Sequence, residues 1–300
     1  MLEAALDSVS GEYKCVVAFP DQGPFRSALD RKNLETMDLP IGNYQPGQKS
    51  FLETITFAWR SLYCAFNLVR VIRRRQISLL YVNGPRCLPA AVLAAWWTGR
   101  PTIFHLHLIL NRRLEAGLVA WFSRRVSRIL ACSKAAAASL LDRAPKLSGK
   151  MQVLYNPLAR PPDSGGRGKR GDGDQFTLGM VGRVTETKGH HLLLRALGDL
   201  PPELREKLRL IVVGAPAPGC EPDSRYAAAL RREAARLGLD SQIYWAGYQT
   251  DPGGFYETMD VLVHPALAEA MCAVLCSRTS REPGVGIATT CRCFRLRRSA

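Results

Sequence analysis

The chain has 300 residues and a mass of 33.1 kDa, with 47% hydrophobic and 22% charged residues, proportions of an ordinary globular protein that exclude disordered, collagen-like and coiled-coil classes. Lys and Arg number 41 against 26 Asp and Glu, a net charge of +15. No apolar run approaches the roughly 20 residues needed to span a bilayer: the run 88–97 stops at ten, and 57–72 is broken by Arg60 and Arg70.

Glu3 and Asp7 stand where a signal peptide needs a positive start, so no secretion signal is expected. Nine cysteines without a repeated spacing read as reduced thiols of a cytoplasmic protein. Through the first half, β-type runs at residues 14–19, 79–82, 102–106, 128–132 and 152–155 alternate with helical stretches at 52–74, 89–97 and 134–143. Residues 160–175, RPPDSGGRGKRGDGDQ, hold five Gly, two Pro and no large apolar side chain, the composition of a linker.

Beyond it the alternation resumes, with strands at 177–181, 209–213, 242–246 and 261–264, helices at 189–197 and 225–237, and a helix after Glu269. Tyr226, Leu230, Ala234 and Leu237 form one apolar stripe, with Ser224 as the expected N-cap and Gly238 as the stop. Strands alternating with helices predict parallel sheets covered on both faces. The expected organisation is α/β: a Rossmann-like domain over 1–159, a linker over 160–175, a second Rossmann-like domain over 176–276 and an atypical basic tail over 277–300. Ligands of such domains sit at the carboxyl ends of the strands, here in a cleft that the two domains would face.

The charge is uneven: +11 over residues 1–158, −1 over 159–276 and +5 over 277–300. Between Glu53 and Glu115 lie nine arginines and no acid, with Trp59, Phe66, Trp96 and Trp97 among them. An anionic membrane surface would take Arg70, Arg73, Arg74 and Arg75 at its headgroups beside Trp96 and Trp97. Nucleic acid would take the arginines on phosphates and the aromatics in stacks, and a solvated face without a partner is the third reading. No helix-turn-helix, RRM or zinc pattern accompanies the charge, which favours the membrane over nucleic acid.

Among motifs, Gly166-x-Gly168-x-x-Gly171 matches a dinucleotide fingerprint as letters, but no strand precedes it and no helix follows. Cys272 with Cys276 and Cys291 with Cys293 lack partners at zinc spacing and read as free thiols. The informative segment is TLGMVGRVTETKG, residues 177–189: a strand ends at Gly182, Arg183 follows, and Lys188 and Gly189 stand where the next helix begins. Two cations and the free N–H groups of a helix start make a site for a diphosphate. In VLVHPALAEAMCAVLC, residues 261–276, a strand runs into His264 and Pro265, and a short loop delivers Glu269 to the start of an apolar helix. That carboxylate could cap the helix or hold sugar hydroxyls.

VGRVTETKG, followed by IVVGAP, YWAGYQ and HPALAEAMCAVL, resembles the C-terminal domain of retaining GT-B glycosyltransferases of family 4, with their GR(L/V)xxxKG loop and P-S-x-x-E-x7-E loop-helix. RPTIFHLH, ILACSKA and VLYNPL are similar to that family's N-terminal segments, so the resemblance covers residues 10–276. It implies two Rossmann-like domains and transfer of a sugar, with retention, from a UDP-, GDP- or ADP-linked donor to a lipid-linked or polysaccharide acceptor at the cytoplasmic membrane face, without a required metal. On the matching positions, Gly182, Arg183 and Lys188 would bind the donor diphosphate, His107 would lie near the donor sugar, and Glu269 would hold hydroxyls of the transferred sugar.

The family's second Glu would fall at position 277, where this chain has Ser277, and helix periodicity stops there. A first strand with a Gly-rich loop has no counterpart before Leu2. The expectation is therefore a chain short of the family at both ends, its second domain incomplete and its turnover weak. A noncatalytic membrane-surface scaffold and a nucleic-acid-binding protein are the rival readings.

Overall fold

In the computed structural model, which describes residues 2–20, 26, 29–30, 32, 34–42, 51–156, 175–267, 269–270 and 286–289, the chain divides into two units, Met1–Pro157 and Leu158–Ala300. The expected linker, the helix after Glu269, Ser277, the glycine decoy, the four cysteines weighed for zinc and most of the tail lie outside the described residues.

The first unit opens with α1 (Leu2–Val9), β1 (Val16–Phe19) and β2 (Glu35–Asp38), the two strands pairing in parallel as a small sheet of their own. Then come α2 (Phe51–Arg74), β3 (Leu80–Asn83), α3 (Leu88–Thr98), β4 (Thr102–Leu106), α4 (Arg113–Ser123), β5 (Arg128–Ala131), α5 (Lys134–Leu141) and β6 (Met151–Val153). The main sheet runs β3-β4-β5-β6, all parallel. One face of its centre is apolar: Phe104, Leu106 and Ile129 share that face and have no exposed surface, while Tyr81, Asn83 and His105 lie on the other. Small side chains let α2 and α3 approach closely, with Cys64, Ala65 and Ala90 buried between them and Leu68 and Leu93 beside. Ser133 starts α5, its Oγ accepting from Ala136 N at 3.1 Å.

Three elements of this unit have no clear periodic signal. In α4, RLEAGLVAWFS, Gly117 interrupts the apolar pattern, and Gly is disfavoured inside helices. The strand ETMD of β2 is polar, and its pairing to β1 decides it. The third, α1, is only eight residues long.

The second unit contains β7 (Phe176–Val181), α6 (His190–Gly198), α7 (Pro202–Arg205), β8 (Leu208–Val213), α8 (Glu221–Arg236), β9 (Ile243–Gly247), α9 (Gly253–Glu257), β10 (Val261–His264) and β11 (Gly286–Thr289). Its parallel sheet has the order β11-β10-β7-β8-β9. Alternate residues serve opposite faces. Met180, Leu210 and Val212 pack with Leu193, Leu194 and Leu230 of the helices, while Val181, Ile211 and Val213 pack with Tyr256, Met259 and Leu262.

One expectation is corrected here. Ser224 is not the N-cap of α8: its N–H already bonds Cys220 O at 3.1 Å, and the helix begins at Glu221. Pro222 fits the first turn, where its missing N–H costs nothing, and Glu221 and Asp223 complement the helix dipole. After Cys276, where helix periodicity stops, β11 pairs along β10 in parallel from Val261↔Gly286 to His264↔Thr289. Backbone pairing needs no helix periodicity, so the loss of that pattern after Cys276 did not exclude a strand.

Candidate active site

The chain leaves β7 for β8 and β9 on one side, then returns to place β10 on the other side of β7. In sequence order this is 3-2-1-4-5, and ligands of such sheets bind where the order reverses, outside the carboxyl ends of the first and fourth strands. The loops at that point are the ones after β7 and after β10. Glycines let their backbones approach. Gly189 has φ +78°, and a Cβ there would run into the Pro265 carbonyl oxygen; Gly214, at φ +146°, likewise lies against the Gly182 carbonyl. Leu267 N donates to Thr187 O at 3.0 Å and ties the two loops together.

This geometry brings Lys188 and Glu269 into contact: Lys188 Nζ donates to Glu269 Oε2, with His264 Nε2 at 3.4 Å from the same oxygen. His264 is 2% exposed and Glu269 is mostly buried. Burial acts to raise the Glu269 carboxyl, but hydrogen bonding to His264 and Lys188 and the Lys188 charge outweigh it, so its pKa lies below the ordinary value. Glu269 is therefore ionised at neutral pH, and its pairing with Lys188 persists there. Arg183 stands exposed on the same loop as Lys188.

The expected free N–H groups at the start of α6 are largely engaged. Leu192 and Leu193 donate to Gly189 O, and His191 N donates to Tyr226 Oη at 3.2 Å. The reason is local: the left-handed turn at Gly189 folds its carbonyl back under the first turn of the helix. Anion affinity at this spot rests on the two cations more than on the helix terminus.

His190, behind Lys188, is 2% exposed. Burial pushes its pKa down to about 4, a backbone hydrogen bond at Thr185 only partly opposing, with Lys188 and His191 pushing further down. A histidine neutral in the fold and basic when unfolded stabilises the fold fully above the unfolded value near 6.5. That contribution is lost as pH falls from there towards 4, by about 3 kcal/mol at most. Urea unfolding followed by hydrogen exchange of the β7 and β8 amides should show the second unit weakening over this window, and His190→Gln should flatten the dependence; an unchanged slope in that variant would refute the assignment.

In the first unit His107 lies just past β4, and its Nε2–H donates to Asn83 Oδ1 at the end of β3, leaving Nδ1 as the acceptor in that tautomer. His105, 1% exposed, has its Nδ1 hydrogen-bonded with Tyr81 Oη, and its ring centroid is 3.8 Å from that of His107. Burial lowers both pKa values, His105 to about 4 with His107 pushing it further, so both rings are neutral at pH 7. Among the basic residues singled out, Arg70, Arg73 and Arg74 are exposed on α2, whereas Arg75 is held by Glu35 at 2.6 Å. Trp96 and Trp97 are exposed at the end of α3. Sequence reading passed over Asn83, His190 and the role of His264; the pairs Asn83-Gly84 and His264-Pro265, polar residues at abrupt strand ends, were the available signal.

Residues 15–159 match the model of Glycosyltransferase Family 4, and residues 167–276 that of Glycosyl transferases group 1. HepE from Anabaena, solved in complex with UDP and glucose, superposes with a TM-score of 0.73 at 21% identity, over 96% of this chain and 82% of that one. The chain belongs to the GT-B glycosyltransferases. This GT-B chain is also similar to a glycosyltransferase from Rickettsia africae, with a TM-score of 0.69 at 15% identity over 93% of this chain and 72% of that one. A UDP-forming α,α-trehalose-phosphate synthase from Burkholderia xenovorans, in complex with glucose-6-phosphate, gives 0.67 at 12% identity over 82% and 66%. No protein of curated function matches this glycosyltransferase. Among its described residues no helix is long and apolar enough to cross a membrane.

Proposed function

We propose that this protein transfers a sugar from a nucleotide-sugar donor to a hydroxyl of a lipid-linked or polysaccharide acceptor, with retention of anomeric configuration. The observation that carries the reading is the meeting of Lys188, Glu269 and His264 at the switch point of the second unit's sheet. UDP leads among the candidate nucleotides, because HepE was solved with UDP and with UDP-glucose and the trehalose-phosphate synthases are UDP-forming.

On this reading Lys188 and Arg183 take the diphosphate and neutralise the charge that grows on it as the glycosidic bond breaks, a role of fixed cations where negative charge develops. Glu269 accepts hydrogen bonds from hydroxyls of the departing sugar and holds Lys188 in place. Neutral His107 offers Nδ1 as an acceptor for a sugar hydroxyl while Asn83 holds its ring. No part of this reading assigns a metal.

The test is release of UDP from a UDP-sugar on adding lipid-linked or polysaccharide acceptors, with the product anomer read by NMR. Acceptor-dependent UDP release with retention supports the proposal. Tight nucleotide binding without turnover on any acceptor would favour a noncatalytic scaffold, and inversion would overturn the mechanistic half.

A further inference from the structure

The 24-residue helix α2 buries Cys64, Ala65, Val69 and Ile72 against its neighbours. At about 3.6 residues per turn, a second stripe runs along its opposite side: Leu52, Ile55, Trp59, Tyr63 and Phe66, all exposed. Leu52 is 74% and Trp59 69% exposed. Residues 52–60 are exposed on every side, and burial begins only at Ser61. A helix that already has its core face has no structural need of such a stripe, and a contiguous exposed apolar patch marks an interaction surface.

The same construction recurs on α4, where Leu114, Leu118 and Trp121 are exposed, Leu114 at 85%. Each stripe ends in an aromatic ring beneath an arginine one turn on. The Arg70 guanidinium carbon lies 4.2 Å from the Phe66 ring centroid, and that of Arg125 lies 4.9 Å from the Trp121 ring. Between α2 and α4 sits α3, with Trp96 and Trp97 exposed at its end. The parallel order β3-β4-β5 with right-handed crossovers puts α3 and α4 on one face of the sheet.

We infer that the outer faces of α2, α3 and α4 dock on an anionic lipid bilayer, rings seated at the acyl boundary and guanidinium groups among the phosphates. Charge complementarity decides the occupant: between Glu53 and Glu115 the chain has nine arginines and no acid. Of the acids on other elements, Glu35 engages Arg75, while Arg70, Arg73 and Arg74 remain exposed. A second copy seated on this face through a two-fold axis would bring the same arginines against each other. Nucleic acid would use the arginines but has no use for the leucines and isoleucine of the stripes. An anionic leaflet satisfies both, since apolar rings and basic side chains together set interfacial binding, with each basic residue near the surface adding about fivefold in partitioning. This inference does not rest on the glycosyl-transfer reading, because vesicle binding is measured without donor or turnover.

The full chain should float with phosphatidylcholine vesicles that contain phosphatidylglycerol, bind pure phosphatidylcholine far less, and lose anionic binding as salt rises. Brominated acyl chains should quench its tryptophan fluorescence. Trp59→Ser combined with Phe66→Ser and Trp121→Ser, all at exposed positions, should lower partitioning by about tenfold or more and remove much of the quenching. Arg70→Glu with Arg73→Glu and Arg74→Glu should abolish the preference for anionic lipid, while Trp245→Phe in the second unit should change neither. Equal recovery with neutral and anionic vesicles, no quenching in the parent chain, or full binding by both triple variants would overturn the inference. So would self-association without lipid that the aromatic variant abolishes while vesicles fail to bind, or release from vesicles by duplex DNA at equal phosphate.

Discussion

Replacing Lys188 by alanine should weaken binding of a nucleoside diphosphate by about 10- to 100-fold, the loss of one charge-assisted hydrogen bond worth roughly 1.5 to 3 kcal/mol. Arg183→Ala should fall in the same range if both cations hold the diphosphate. The two variants differ in one further respect. Removing Lys188 also leaves Glu269, mostly buried, without its hydrogen-bonded cation, and a buried carboxylate without that partner shifts towards protonation. Lys188→Ala should therefore raise the Glu269 pKa and add an acid limb to nucleotide affinity that Arg183→Ala does not. Calorimetric titration with UDP, GDP and ADP across pH decides this. Unchanged affinity in both variants would remove the diphosphate assignment, and loss in Arg183→Ala alone would place the phosphate away from Lys188.

Substitution of Gly214 by alanine should cost about 2 to 5 kcal/mol, combining strain at a backbone conformation that side chains rarely adopt with overpacking. The position has φ +146° and lies against the Gly182 carbonyl, a backbone atom that cannot swing aside. Gly182 is the matched control. Its φ is +151°, but a Cβ there would meet nothing within 4 Å, so Gly182→Ala should pay the conformational cost alone, about 1 to 3 kcal/mol. Denaturant titration with hydrogen exchange at the β7 and β8 amides separates them. Equal costs at both positions would mean that the close approach of these loops does not constrain the second unit. Since Gly214 touches the start of the loop that carries Arg183 and Lys188, the same variant should lose nucleotide affinity even in the fraction that folds.

The alternation of apolar runs with helical stretches was legible residue by residue. Residues 102–106 and 261–264 are strands in the structure as read, because buried parallel strands are short β-branched runs closed by polar or Gly-Pro breaks, and that signal is local. Arg183, Lys188 and Glu269 could be singled out for the same reason: charged residues at the ends of such strands have few structural roles. What local pattern cannot encode is which strands lie side by side. The order 3-2-1-4-5 alone joins Lys188 to Glu269 across 81 positions of sequence and buries His264 and His190 behind them. Nor does periodicity decide which apolar side of the long helix α2 faces the core: Trp59 and Phe66 were legible only as aromatics among arginines, and packing alone shows Cys64, Ala65 and Ile72 facing inward and the ring-bearing side outward. Residue types and their spacing set what each segment can be, whereas contacts between segments far apart in sequence, paid for in chain entropy and recovered only by packing, decided which of those possibilities meet.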